Sequence, residues 1–161
     1  MVKSGTDIVL QQAPVWSKQR IGLVTNDAAR TLQGISSRKA LLDSGFNLIK
    51  IFSPEHGISA AGADGAPMHD QSDPLTRLPV ISLYGEKLTP AATDLADLDL
   101  LLFDVPDVGT RFYTYLWTLS YCLEICASFQ KPLIVLDRPN PISGLLSLAG
   151  GPFLDEARSS S

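Results

Sequence analysis

A doubly wound, mainly parallel α/β sheet with helices on both faces is the fold class this sequence predicts, and three observations predict it. Five short apolar runs alternate with segments of helical period. The runs are near-continuous instead of alternating, as in strands covered on both faces. Each ends in polar residues, the arrangement expected where parallel strands open onto a ligand crevice at their carboxyl ends.

Residues 1–20 are weakly patterned, and Arg20–Thr25 is the first strand, ending in Asn26-Asp27. Ser36 or Ser37 caps a short helix through Leu42, with Asp43-Ser44-Gly45 as its stop signal. Phe46–Phe52 is the second strand and runs into Ser53-Pro54-Glu55-His56-Gly57. From Ile58 to Arg77 no period of 2 or 3.6 is present, which reads as a long functional or mobile loop. Leu78–Leu83 is the third strand and ends at Tyr84-Gly85-Glu86; Thr89-Pro90 opens a brief helix over Ala91–Leu95.

Leu98–Phe103 is the central strand, followed by a turn built on Asp104, Pro106, Asp107 and Gly109. Thr110 is placed to cap the next helix, with Phe112, Leu116, Leu119, Leu123 and Cys126 on its inner face. Leu133–Leu136 is the fifth strand and breaks at Asp137-Arg138-Pro139-Asn140-Pro141. Residues 1–143 then form one α/β domain, and 144–161 follow it as a tail.

Composition narrows the function. At 161 residues, 45% hydrophobic and 19% charged, the chain suits a single globular domain. A formal net charge of −4 without a Lys/Arg cluster argues against nucleic acid or an anionic membrane as partner. Met1–Lys18 has no signal-peptide core and no apolar run is long enough to span a bilayer, so the chain as given reads as cytoplasmic, or as secreted or periplasmic where a leader has been removed. Cys122 and Cys126 read as reduced core thiols, and no metal site is expected with only His56 and His69 as histidines. There is no G-x-G-x-x-G, no phosphate-binding P-loop and no G-x-S-x-G elbow; no cofactor is expected.

Carboxylates are what remain. Glu55, fixed between Pro54 and His56, is either a general acid whose pKa burial would raise or an acceptor of backbone hydrogen bonds in its turn. His56 is either a proton carrier or a turn residue bonded to a neighbouring loop. Asp104 and Asp107 near Arg111 are either a polarising pair or a turn-and-cap network. Tyr113, Tyr115 and Trp117 offer stacking faces to a sugar ring, although helical spacing requires some of them in the core. Glu55 and His56 are the candidates for catalysis, and Asn26, Asp104, Asp107, Arg111, Tyr113, Asp137, Arg138 and Asn140 the candidates for ligand binding, all expected along one rim of the sheet.

Three motifs in this order, Ser53–Gly57, Phe103–Tyr115 and Leu136–Pro141, resemble those of the NamZ family of exo-β-N-acetylmuramidases, over about Ile21 to Asp155. The resemblance implies a Rossmann-like domain without a dinucleotide, acting on non-reducing terminal N-acetylmuramic acid of peptidoglycan fragments. It implies that Glu55 is the leading catalytic carboxylate and that Asp104, Asp107 and Arg111 line its cleft. Family members usually carry Arg-Gly after the P-E-H-G motif, where this chain has Ile58-Ser59, so a basic substrate contact is absent. Relatives are also longer, with a second α/β domain across the cleft. The resemblance thus implies either a glycosidase, as half of an enzyme completed by a separate polypeptide or as a reduced active form, or a non-catalytic remnant that binds sugar or a partner.

Overall fold

The computed structural model describes residues 2–59, 71–85 and 87–151. Its centre is a six-stranded sheet built from β1 (Ile21–Thr25), β2 (Leu48–Ser53), β3 (Gln71–Ser72), β4 (Pro79–Ser82), β5 (Leu100–Asp104) and β6 (Leu133–Val135), in the order β3-β4-β2-β1-β5-β6. All five expected strands are present and mutually parallel; only β3, at the edge, is antiparallel, against β4. It lies inside the segment read from sequence as one long loop, and at two residues it is too short to leave an apolar period. His69, Glu86, Phe153 and the glycines Gly62 and Gly65 lie outside the described residues.

The chain runs outward from β1 through β2 to β4, then returns to place β5 and β6 on the other side of β1. The direction therefore reverses between β1 and β5, where a crevice is expected at the carboxyl ends. Every residue of β1 and β5 is buried. The pleat sends alternate side chains to opposite faces. Leu101 and Phe103 pack in one cluster with Val24, Phe52 and Tyr115; Leu100 and Leu102 pack in the other with Ile21, Leu23 and Leu41.

Helices supply both covers. On one face lie α1 (Gly5–Gln12) and α2 (Ser37–Asp43), through Val9 and Leu41; on the other α3 (Ala92–Leu95) and α4 (Tyr115–Ser128), through Leu95, Cys122 and Cys126. The first helix corrects the reading of residues 1–20 as unpatterned. Ser4 Oγ accepts from Asp7 N at 3.2 Å while Asp7 Oδ2 accepts from Ser4 N at 3.1 Å, a capping box written as S-x-x-D. Helix α2 ends as expected: Gly45 takes φ +79°, and Gly45 N and Phe46 N return to Leu42 O and Leu41 O. Ser36 stands before α2 without capping it, because its hydroxyl accepts from Arg38 Nη1 instead.

Helix α4 departs most from expectation. It starts at Tyr115, and Thr110 instead opens a preceding turn by accepting from Tyr113 N. Its buried residues are Tyr115, Thr118, Cys122 and Cys126, while Leu116 and Leu123 of the expected inner face are exposed and Phe112 is 84% exposed. The period is right and the face is rotated. Both cysteines are unpaired and buried, and burial pushes their thiols up to about 12 and about 11, as inert core groups require. Leu145, Leu146 and Leu148, in the tail, are also exposed.

Arg38 is buried and ties three segments together, with Nε on Asp73 Oδ2 at 3.0 Å, Nη2 on Asp73 Oδ1 at 3.2 Å and Nη1 on Asp27 Oδ1 at 2.6 Å. Burial pushes the Asp73 carboxyl up, but the hydrogen bonds from Arg38 and Thr76 outweigh it and leave the group below its ordinary value of 3.8. At the other end of the sheet, Arg20 holds the exposed Asp99 carboxyl down at about 2. Groups with depressed folded-state pKa values add stability above their ordinary value, and it is lost as pH falls through the folded one. Thermal melts should therefore change little between about pH 7 and 5 and then fall steeply from about pH 4 toward 2. A melting temperature held flat to pH 2 would show that these carboxylates carry no folding linkage.

Candidate active site

Because the five longer strands are parallel, every described strand-end residue singled out from sequence lies on the same edge of the sheet. They separate into two groups, divided by Tyr115 and the first turn of α4.

The first group is built on the turn after β2. Pro54 restricts its entry, Gly57 N closes it on Pro54 O at 3.0 Å, and Asp27 N on Ile58 O at 2.8 Å pins it to the loop after β1. His56 takes φ +69°, followed by Gly57 at +72°. A histidine held left-handed costs on the order of 1 kcal/mol or more and persists only where the surroundings enforce it, a form of strain that gathers at functional sites. Both Glu55 and His56 are half-buried.

Helix α4 meets this turn with its N-terminus. Thr114 Oγ1 donates to Glu55 Oε2 at 2.6 Å. Tyr115 Oη, itself accepting from Asn26 Nδ2 at 3.1 Å, reaches Glu55 O at 3.5 Å. Asn26 is fully buried and its Oδ1 accepts from Ala28 N, so the side chain read as a ligand contact holds Tyr115 and its own turn. Burial, with Tyr113 and Glu55 nearby, pushes the Tyr115 phenol above its ordinary value and keeps it neutral. Tyr113 stacks edge-on against it, with centroids 4.9 Å apart. Glu55, His56, Tyr84, Phe112, Tyr113, Thr114 and Tyr115 line an open cleft of about 580 Å³. A carboxylate in a rigid turn, facing a cleft walled by aromatic rings, has what proton transfer to a bound sugar requires.

The second group surrounds Asp104. This carboxylate is fully buried and receives Arg138 through Nε at 2.6 Å and Nη2 at 3.0 Å, and the Thr6 hydroxyl at 2.7 Å. Arg138 Nη1 continues to Arg30 O at 2.8 Å, while Gly5 N donates to Asp137 O at 2.6 Å. The ion pair thereby ties β5 to α1 and to the loop after β6. Asp107 is exposed and accepts from Gly109 N, Asp137 accepts from Arg138 N, and Asn140 accepts from Ile142 N. Gly109 takes φ +74°, a conformation that favours glycine, and the Asn140 side chain of the third motif packs closely over it. Exposed Arg111 reaches Gly150 O at 3.4 Å. Among the described residues no group of three or more His, Cys, Asp or Glu could hold a metal ion, and no helix is long and apolar enough to cross a membrane.

Thr6, Phe112 and Thr114 were not legible as site residues. A threonine gives no signal until its non-local partner is known, and Phe112 was assigned to the core by helical spacing.

A parallel sheet with polar residues gathered at its carboxyl edge beside an aromatic-walled cleft is an α/β architecture of the class that places ligand sites at that edge. Comparison narrows this: residues 21–161 match the family model described as exo-beta-N-acetylmuramidase NamZ, N-terminal, and the chain belongs to that family. It is 39% identical over 159 residues to the peptidoglycan beta-N-acetylmuramidase NamZ of Bacillus subtilis (strain 168), covering 96% of this chain and 37% of that protein. It also resembles the crystal structures of two DUF1343 family proteins from Bacteroides fragilis NCTC 9343. One is 37% identical with a TM-score of 0.77 over 89% of this chain, and the other 29% identical with 0.67 over 86%. The chain spans 36% and 35% of those two proteins.

Proposed function

We propose that this chain supplies the catalytic half of an exo-β-N-acetylmuramidase, with Glu55 as the general acid that releases non-reducing terminal N-acetylmuramic acid from peptidoglycan fragments. The observation that carries this reading is the half-buried Glu55 carboxylate held by Thr114 at the mouth of the aromatic-walled cleft. Protonated Glu55 delivers its proton to the glycosidic oxygen as the C1–O bond breaks through an oxocarbenium-like transition state; water adds to C1, and the proton it sheds, returned by way of solvent, restores the Glu55 acid. Tyr113 and Phe112 offer flat apolar faces to the pyranose. Arg111, adjacent to Phe112 and exposed, supplies a positive charge for the lactyl carboxylate that distinguishes muramic acid from glucosamine.

The cleft is open, and in our reading a second domain closes it, in the same polypeptide or as a separate one. Residues 1–143 are the first domain and 144–161 lead toward the second. Supporting this, Leu116, Trp117 and Leu123 form an exposed apolar stripe on α4 beside the cleft, and Leu145, Leu146 and Leu148 are separately exposed in the tail. The same surface favours the second reading, a non-catalytic sugar- or partner-binding domain. Release of chromophore from an aryl N-acetylmuramide separates them. Turnover by this chain, alone or with the remaining part of a relative supplied in trans, is the expected result. Saccharide binding without turnover in either setting would establish the second reading.

A further inference from the structure

We propose that Thr114 is the positioning residue for Glu55: its hydroxyl holds Glu55 Oε2 and stabilises the carboxylate that forms as the transferred proton departs. The proposal rests on the reading of Glu55 as the acid.

Two observations carry it. First, Thr114 stands immediately before α4, where a threonine hydroxyl ordinarily accepts from a backbone N–H of the first helical turn. Thr114 makes no such bond; its backbone is already helical, at φ −76° and ψ −14°, and its hydroxyl is turned onto Glu55 Oε2 at 2.6 Å. The helix gives up its cap to hold a carboxylate on another element, 59 residues away in sequence. Second, the backbone of Glu55 is approached from the same turn of α4, by Tyr115 Oη backed by Asn26. One helix end thus orients both the carboxylate and the peptide that carries it.

The consequence is asymmetric along the reaction. An ionised carboxylate is acceptor-only, so the short contact has Thr114 as donor. Hydrogen bonds to a charged acceptor are about twice as strong as those to a neutral one. Glu55 starts neutral and ends ionised, so the Thr114 bond strengthens during proton transfer, which is how an interaction lowers a barrier without tightening substrate binding.

The first test is made on this chain, by following the Glu55 carboxyl carbon through a pH titration by NMR. Thr114 is exposed, so T114V and T114A leave the fold intact. Both should raise the Glu55 pKa by about one pH unit, because a donor to the charged form is lost. T114S should restore it. Among the described residues the other titratable groups on this cleft are His56, Tyr84, Tyr113 and Tyr115, and none is altered by the substitution. In a preparation that turns over aryl N-acetylmuramides, T114V should lower kcat roughly ten- to a hundredfold with KM little changed, and move the alkaline limb of the pH profile upward. A Glu55 titration unchanged in T114V, or T114S behaving as T114V, overturns the proposal. Full turnover by Glu55→Gln would instead remove the acid role from Glu55 and would leave the titration result standing.

Discussion

Asp104→Ala is expected to destabilise the chain by about 3–5 kcal/mol, the cost of breaking a buried ion pair from one side. The carboxylate is fully buried and accepts two bonds from Arg138 and one from Thr6. Its removal leaves a largely buried guanidinium without its counter-charge and a buried hydroxyl without its acceptor, both more costly than the pair itself is stabilising. The damage should spread along the bonds that converge there, freeing α1 at Thr6 and the loop after β6 at Arg138. Asp104→Asn keeps the volume and one acceptor and should lose less. Adding Arg138→Met to Asp104→Ala should recover part of the loss, since the stranded charge is then gone as well. Urea denaturation of the four proteins measures all of this. An Asp104→Ala variant within about 1 kcal/mol of the parent would mean that the pair contributes no more than a surface bridge.

That network also marks how far the sequence could be read. The five parallel strands were visible because each is a short, nearly unbroken apolar run, the pattern of a strand covered on both faces; β1 and β5 are buried throughout, while β6 at the edge is only half-buried and leaves Val135 exposed. The rim followed, since parallel strands must end together. Asp104 and Arg138 were both singled out, but as ligand contacts; that they face each other, with Thr6 behind, depends on a meeting of residues 98 and 34 positions apart. Helix α1 was missed although Ser4-Gly5-Thr6-Asp7 spells its cap, because eight residues with one buried apolar side chain carry little period. In α4 the leucines at 116, 119 and 123 and the set Tyr115, Thr118, Cys122 and Cys126 both have helical spacing. Hydrophobicity favoured the leucines, and the sheet buried the smaller cysteines. Leu116 and Leu123 then stand exposed while Leu119 still packs partly against the core, so hydropathy alone assigns to the core a surface that would acquire a use only with the proposed second domain.

Glu55→Gln is expected to lower turnover of natural muramyl fragments by roughly two to four orders of magnitude, the range that general-acid catalysis contributes. The measurement belongs in a chain extended to the length of its relatives, where the proposed second domain would close the cleft. Gln is isosteric with Glu and its amide oxygen can still accept from Thr114, so the turn should keep its shape, yet it has no proton to deliver to the leaving oxygen. The loss should be smaller on an aryl glycoside with a good leaving group, because its oxygen departs without needing protonation. That dependence on the leaving group separates a missing acid from a distorted site, which would slow every substrate alike. His56→Gln should be milder if the ring only supports the turn, but it also alters a residue held at φ +69°, so its melting temperature has to be measured beside its rate. If Glu55→Gln turns over natural fragments normally, the acid lies elsewhere on the rim. If it unfolds the domain, Glu55 is instead the structural acceptor that ties the turn after β2 to the first turn of α4.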